Sequence, residues 1–290
     1  MRLFIDDPRQ PDDVTVADLR DLAERLAREA GELVRSGRPD RVEVAATKST
    51  ATDVVTRMDA DSEALLRRGI AAARPDDAIL GEEEGSSAGT SGVTWVIDPV
   101  DGTVNYLYGV ASYAVSVAAV VGPPDPLEWT VLAGAVHSVV DDRTWTAGLG
   151  AGATLDGRPV HVNAETDLGQ CLVGTGFGYD ADRRRAQARV LLDVLPQVRD
   201  IRRLGSAAID LCLVATGELD LYYERGLNPW DMAAGALVAH EAGALVTGLR
   251  GRAADREMTV AGPPEAVARL VRLLEDAGAD SDSCRGAVHP

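Results

Sequence analysis

Trp95-Val96-Ile97-Asp98-Pro99-Val100-Asp101-Gly102-Thr103 decides the reading of this chain, because it sets two carboxylates three residues apart directly after an apolar run. Thr94 to Ile97 are β-branched or aromatic and read as a short buried strand. Pro99 fixes φ and removes a donor, so the chain is expected to turn there, with Asp101-Gly102 closing the turn. Asp98, Asp101 and the Val100 carbonyl would then face one small volume. Acids held that close repel each other unless a cation or a shared proton lies between them. An all-oxygen cluster suits a hard ion, and Mg²⁺ is the usual one where phosphate completes the shell. The same residues are also ordinary turn formers, so taken alone the segment leaves a surface loop open. An EF-hand is excluded, because counting from Asp98 puts Gly109 where its loop needs a bidentate Glu.

Acids recur at two further element ends. Ile79-Leu80 runs into Gly81-Glu82-Glu83-Glu84-Gly85, a glycine-bounded acidic turn that by itself also reads as a solvated loop. Asn228-Pro229-Trp230-Asp231 leads into a small-residue helix, where Asp231 reads as an N-terminal cap or as one more site carboxylate. The three coincidences together favour metal-assisted phosphate chemistry.

Gly81-Glu82-Glu83, the run from Trp95 to Tyr106, and Trp230-Asp231-Met232-Ala233-Ala234-Gly235 resemble the signatures of the inositol monophosphatase family. The likeness extends to Lys48 through Thr56 with Asp59, to Arg202 through Ala208, and to Tyr222-Tyr223-Glu224, covering residues 15 to 278. It implies a layered α/β (α+β) fold, a five-layer αβαβα sandwich, and two to three Mg²⁺ ions. By the same resemblance Glu82, Asp98 and the Val100 carbonyl hold one ion, and Asp98, Asp101 and Asp231 a second. Glu82 also helps hold a third through water. The nucleophile is a metal-activated water oriented by Glu82 and the Thr103 hydroxyl, and it attacks directly, without a phosphoenzyme. Asp59 matches the acid that orients that threonine, and reads equally as a cap on the helix that follows.

The substrate is expected against Glu82, Val100, Asp101, Gly102, Thr103, Gly205, Ser206, Ala207, Glu224 and Asp231. The amides of Gly102 and Thr103 would grip phosphate at a helix start. Gly205, Ser206 and Ala207 match backbone contacts to the inositol ring, and Glu224 matches the acid that receives a ring hydroxyl. A carboxylate can accept such bonds, though Glu224 is also a plain strand-end acid. The implied activity is hydrolysis of myo-inositol 1-phosphate or a similar polyol phosphate, sensitive to Li⁺. Histidinol phosphate, fructose 1,6-bisphosphate and nucleotide 3′-phosphates are alternatives within the family. An alternative of another class is a protein-binding partner of the transcription machinery. A homodimer is implied. Two departures stand out: the acidic turn is Glu-Glu-Glu-Gly rather than Glu-Glu-Ser, and Val104 replaces a frequent threonine. Glu82 is preferred as the ligand because it follows the strand-ending Gly81, with Glu83 behind it.

Composition agrees with such an enzyme. The chain has 290 residues, 46% hydrophobic but only 4% aromatic, so its core must lean on Ala, Val and Leu. A net charge of −17 argues against a nucleic-acid partner. No apolar run reaches the roughly 18 residues of a membrane span, and residues 1–14 carry no secretory signal, so a cytoplasmic protein without membrane contact is expected. Cys171, Cys212 and Cys284 lack Cys-x-x-Cys spacing; two read as small buried hydrophobes and one as a tail thiol. The cleft is expected to be poor in Lys and Arg, leaving its carboxylates to bound cations.

Along the chain, apolar spacing from Val16 to Val34 predicts a helix capped by Thr15, and a second covers Asp59 to Ala73. Strands are predicted at 78–80, 94–98, 113–121, 129–140, 144–147, 219–224, 244–247 and 258–261. Helices are predicted at 186–195, 207–216, 231–242 and 265–277. Asp156-Gly157 marks a hairpin turn. Residues 85–92 and 122–126 read as surface loops. Gly174-Thr175-Gly176-Phe177-Gly178 fails the dinucleotide pattern because its third glycine is one position early, and the resemblance makes it a loop beside the cleft. The organisation expected is an N-terminal tail (1–14), halves at 15–155 and 156–278, and a disordered tail at 279–290. The first half should carry most metal ligands, the second Asp231 and the substrate contacts.

Overall fold

The computed structural model describes residues 15–48 and 54–281. The segments 1–14, 49–53 and 282–290, with Cys284 and the middle of the Lys48 to Thr56 stretch, lie outside them. Seven α-helices are described: α1 (Val16–Ser36), α2 (Arg57–Ala73), α3 (Thr103–Tyr108), α4 (Ala181–Val194), α5 (Ala207–Ala215), α6 (Pro229–Glu241) and α7 (Pro264–Asp276). The strands are β1 (Val44–Thr47), β2 (Val54–Thr56), β3 (Ala78–Gly81), β4 (Gly85–Ser87), β5 (Val93–Asp101), β6 (Ala114–Val121), β7 (Thr130–Ser138) and β8 (Arg143–Gly148). They continue with β9 (Gly152–Leu155), β10 (Arg158–Pro159), β11 (Leu172–Thr175), β12 (Asp200–Arg202), β13 (Leu221–Glu224), β14 (Leu245–Thr247) and β15 (Thr259–Gly262).

One sheet has eight strands in the order β10-β9-β8-β7-β6-β5-β3-β4, and another has five in the order β12-β11-β13-β15-β14. β1 and β2 form a separate antiparallel pair. Helices α1 and α2 cover the outer face of the large sheet, α5 and α6 lie between the sheets, and α4 and α7 cover the far face of the small one. These are the five layers that the resemblance implied. The large sheet ends at Pro159 and the small one begins at Leu172, with a common core of α5 and α6 between them.

Small residues make the layers close. Gly134 of β7 lies where a Cβ would come within 2.9 Å of the Ala234 Cα on α6, and a Cβ at Gly235 would meet Leu211 and the Ala208 carbonyl of α5 at 3.0 and 3.1 Å. Such backbone approach lets an aromatic-poor core reach interior packing density. Three tryptophans, Trp95, Trp129 and Trp145, are the largest of the fully buried side chains. Cys171 and Cys212 are buried free thiols, as their spacing suggested.

Several expectations need correction. The strand does not turn at Pro99: β5 runs through it to Asp101, and its pairing with β6 is irregular between Asp98 and Asp101. Proline is tolerated there because a bulge needs no ladder donor at that position. The turn comes at Gly102, whose φ of +96° suits glycine. Residues 85–92 are not all loop, since β4 pairs with β3 and makes the acidic turn a hairpin tip. The ordered chain also extends beyond 278: Ala279 is buried and Asp280 pairs with Arg250 at 2.6 Å.

Candidate active site

β5 delivers Asp98, Val100 and Asp101 to the floor of a cavity of about 510 Å³. The β3–β4 tip adds Glu82, and the first turn of α6 adds Asp231. Gly102, Thr103, Gly205, Ala207 and Glu224 complete the predicted residues that line it. The volume is within the range usual for small-molecule sites.

Asp101, Asp231 and Asp59 are each held by hydrogen bonds at the start of a helix. Asp101 accepts from the Ser206 hydroxyl at 2.6 Å and from the Ala208 amide at 2.8 Å, at the start of α5. Ser206 is also the N-cap of α5 and is almost wholly buried. Its side chain therefore supports Asp101 rather than lining the cavity. Asp231 accepts from the Asn228 amide at 2.6 Å and completes the α6 capping box. Cap and cavity carboxylate are thus one residue, because position N3 of a helix entered from the cleft points back toward it. Asp59 is also a capping acid, but it is fully buried and meets the cavity only through Thr103. It caps α2 by accepting from the Thr56 amide at 2.8 Å, and its other oxygen lies 2.9 Å from the Thr103 hydroxyl. Thr103 Oγ1 is also 3.0 Å from the Val100 carbonyl.

The electrostatics report crowding. Burial, then the charges of Glu82, Asp101 and Asp231, push the Asp98 carboxyl well above its ordinary range. Asp231 is pushed the same way by burial and by Glu82 and Asp101. Burial raises Asp101 to about 6 against the pull of Ser206 and Ala208. Glu82 is raised by burial despite the ammonium of Lys48 beside it. Among the described residues no three acids, imidazoles or thiolates are gathered as tightly as an ion would hold them. The donor set itself, buried, all-oxygen and forced to share protons, fits a hard divalent cation.

The cavity is not poor in Lys and Arg, contrary to expectation. Lys48, Arg183, Arg203, Arg225 and Arg256 line the cavity. The Lys48 Nζ lies 2.7 Å from both Glu82 and Glu83. Burial works against that ammonium, but the two glutamates outweigh it and raise its pKa. Basic residues far apart in sequence gave no periodic signal that would bring them together, although Lys48 stood in the stretch that carried the resemblance.

Glu63 escaped sequence reading altogether. Fully buried on α2, it accepts from the amides of Glu83 and Glu84 at 2.8 and 2.9 Å and pairs with Arg67 at 2.8 Å. It shapes the acidic tip, and a Cβ at Gly81 would collide with it. Its i,i+4 relation to Arg67 was the one available hint. Glu84, by contrast, is 62% exposed.

A layered α/β sandwich with a buried carboxylate cleft at its strand and helix ends is the class that fold and site define. The chain belongs to the inositol monophosphatase family, whose model matches residues 15–279. It is similar to the inositol-1-monophosphatase SuhB of Mycobacterium tuberculosis, at 48% identity over 248 residues, 79% of this chain and 83% of that protein. It is also similar to the Nus factor SuhB of Pseudomonas aeruginosa, at 38% identity over 237 residues, 79% of this chain and 85% of that one. The solved structure of Mycobacterium tuberculosis SuhB superposes with a TM-score of 0.78 at 42% identity, covering 93% of this chain and all of that one. Among the described residues no helix is long and apolar enough to cross a membrane.

Proposed function

We propose that this protein is a Mg²⁺-dependent phosphomonoesterase acting on myo-inositol 1-phosphate or a closely similar polyol phosphate. The observation that carries the reading is the convergence of Glu82, Asp98, Asp101 and Asp231 on one cavity whose wall holds Glu224. Family membership and the 48%-identical inositol-1-monophosphatase support it. Glu82, Asp98 and the Val100 carbonyl would hold one ion and Asp98, Asp101 and Asp231 another, with Glu82 shared toward a third. Ions bound there supply charge neutralisation and lower the pKa of water.

The chain's own groups do the rest. The Thr103 hydroxyl has one proton and two acceptors in reach, Asp59 and the Val100 carbonyl. Its lone pairs are left to accept from the attacking water, and Glu82 provides a second acceptor. Gly102 and Thr103 offer amides to phosphate, and Gly205 and Ala207 flank the ring side. Glu224 would accept ring hydroxyls.

Phosphate release from inositol 1-phosphate, histidinol phosphate, fructose 1,6-bisphosphate and adenosine 3′,5′-bisphosphate tests the reading. Inositol 1-phosphate should be preferred, EDTA should abolish turnover, Mg²⁺ should restore it, and millimolar Li⁺ should inhibit. Full turnover in chelator would sink the metal assignment. A cytoplasmic homodimer without a nucleic-acid partner belongs to the same reading, and sedimentation of the purified protein checks the dimer. A second reading, as a partner of the transcription machinery, draws on the Nus factor name of the 38%-identical relative. Transcription-complex binding that survives Asp98→Asn would favour it.

A further inference from the structure

The glycine pair at 174 and 176, which fails as a nucleotide motif, has a different place in the fold. β11 and β13 run parallel, with Gly174 beside Tyr222 and Thr175 beside Tyr223. The next step along this register brings Gly176 beside Glu224. Residues two apart on a strand share one face, so Gly174 and Gly176 look toward the same side as Tyr222 and Glu224. A Cβ at Gly174 would come within 3.2 Å of the Tyr222 ring and 2.8 Å of the Leu219 side chain. One at Gly176 would fall inside the Glu224 carboxylate. Both glycines are therefore absent side chains whose volume Tyr222 and Glu224 occupy.

Tyr222 is fully buried, and its hydroxyl donates to Glu224 at 2.7 Å. That bond fixes one carboxylate oxygen and leaves the other for a ligand at the cavity wall. Glycine on one side and a rigid aromatic donor on the other leave the carboxylate little freedom to rotate. We propose that Gly176 and Tyr222 are positioning residues that seat Glu224 and thereby set selectivity for hydroxyl-rich leaving groups. This rests on the reading of Glu224 as the acceptor of ring hydroxyls. It predicts that selectivity depends on residues that touch neither the phosphate nor its metal ligands.

The test compares kcat/KM on inositol 1-phosphate and on p-nitrophenyl phosphate, which offers no hydroxyls, for Tyr222→Phe, Gly176→Ala, Glu224→Gln and the double variant Tyr222→Phe/Glu224→Gln. Tyr222→Phe removes only an oxygen and should lower kcat/KM on the inositol ester about tenfold, chiefly through KM. Its effect on p-nitrophenyl phosphate should be less than about twofold. Because the hydroxyl favours the charged form of Glu224, the acid limb of the inositol-ester profile should move to higher pH in this variant. Gly176→Ala should repeat the selective loss. The double variant should be no worse than Glu224→Gln alone, since Tyr222 acts through Glu224. Equal losses on both substrates for Tyr222→Phe, or losses that add in the double variant, would overturn the seating role while Glu224→Gln remains selective. A Glu224→Gln enzyme that loses both substrates equally would instead overturn the underlying reading of Glu224, and the seating role with it.

Discussion

Raising the pH of the metal-free protein from 5 to 8 should destabilise it, and Mg²⁺ should reverse the loss. The folded state lifts the Asp101 carboxyl from 3.8 to about 6 and that of Glu224 from 4.5 to about 7, in both cases mainly by burial. A carboxyl raised by folding keeps its proton longer in the folded state than in the unfolded chain. Its contribution is intact below the unfolded value and is lost as pH climbs through the folded one. At 1.36 kcal/mol per pH unit, these two groups together weaken the fold by about 4 kcal/mol between pH 5 and 8. Asp98 and Asp231 shift in the same direction and add to the loss. For a chain of this size about 2 °C of melting temperature follows each kcal/mol, so a fall of at least about 8 °C is expected. The assay is thermal unfolding followed by circular dichroism in chelator and in Mg²⁺. Because the ion binds only ionised carboxylates, its stabilisation should be large at pH 8 and small at pH 5. A melting temperature that is flat or rises over this range in chelator would refute the reasoning, as would equal Mg²⁺ stabilisation at both pH values.

Asp98→Asn, Asp101→Asn and Asp231→Asn should each cut kcat by orders of magnitude while the far-ultraviolet spectrum is kept, whereas Glu84→Gln, at an exposed position, should be near normal. In chelator at pH 8 the Asp98→Asn protein should melt above the parent, because it removes a crowded charge. Glu63→Gln should cost about 3 to 5 kcal/mol in denaturant unfolding, since it breaks a buried pair with Arg67. It should also weaken Mg²⁺ binding, measured calorimetrically, by loosening the tip that carries Glu82; unchanged stability and affinity would remove Glu63 from the account of the site.

Local sequence determined most of the elements and the acid inventory. Apolar periodicity located α1 and α2, and Thr15 indeed caps α1. The acids at 82, 98, 101 and 231 were legible because strand and helix ends announce themselves through Gly, Pro and capping residues, whose chemistry acts over a few positions. Short strands such as β4, β9 and β12 were not, because their Gly, Ser, Thr and charged residues give no apolar run, unlike the equally short β14 and β15, and they are stabilised by neighbours distant in the chain. The course of β5 through Pro99 depended on a bulge against β6, a property of the pair rather than of either strand. Tertiary structure alone decided that Lys48 would meet Glu82 and Glu83, that Ser206 would hold Asp101, and that buried Glu63 would shape the acidic tip. It also decided what the glycines at 174 and 176 are for. Those positions are defined by the volume that Tyr222 and Glu224 take up on the adjoining strand, and volume across a sheet is set by register, which no single segment encodes.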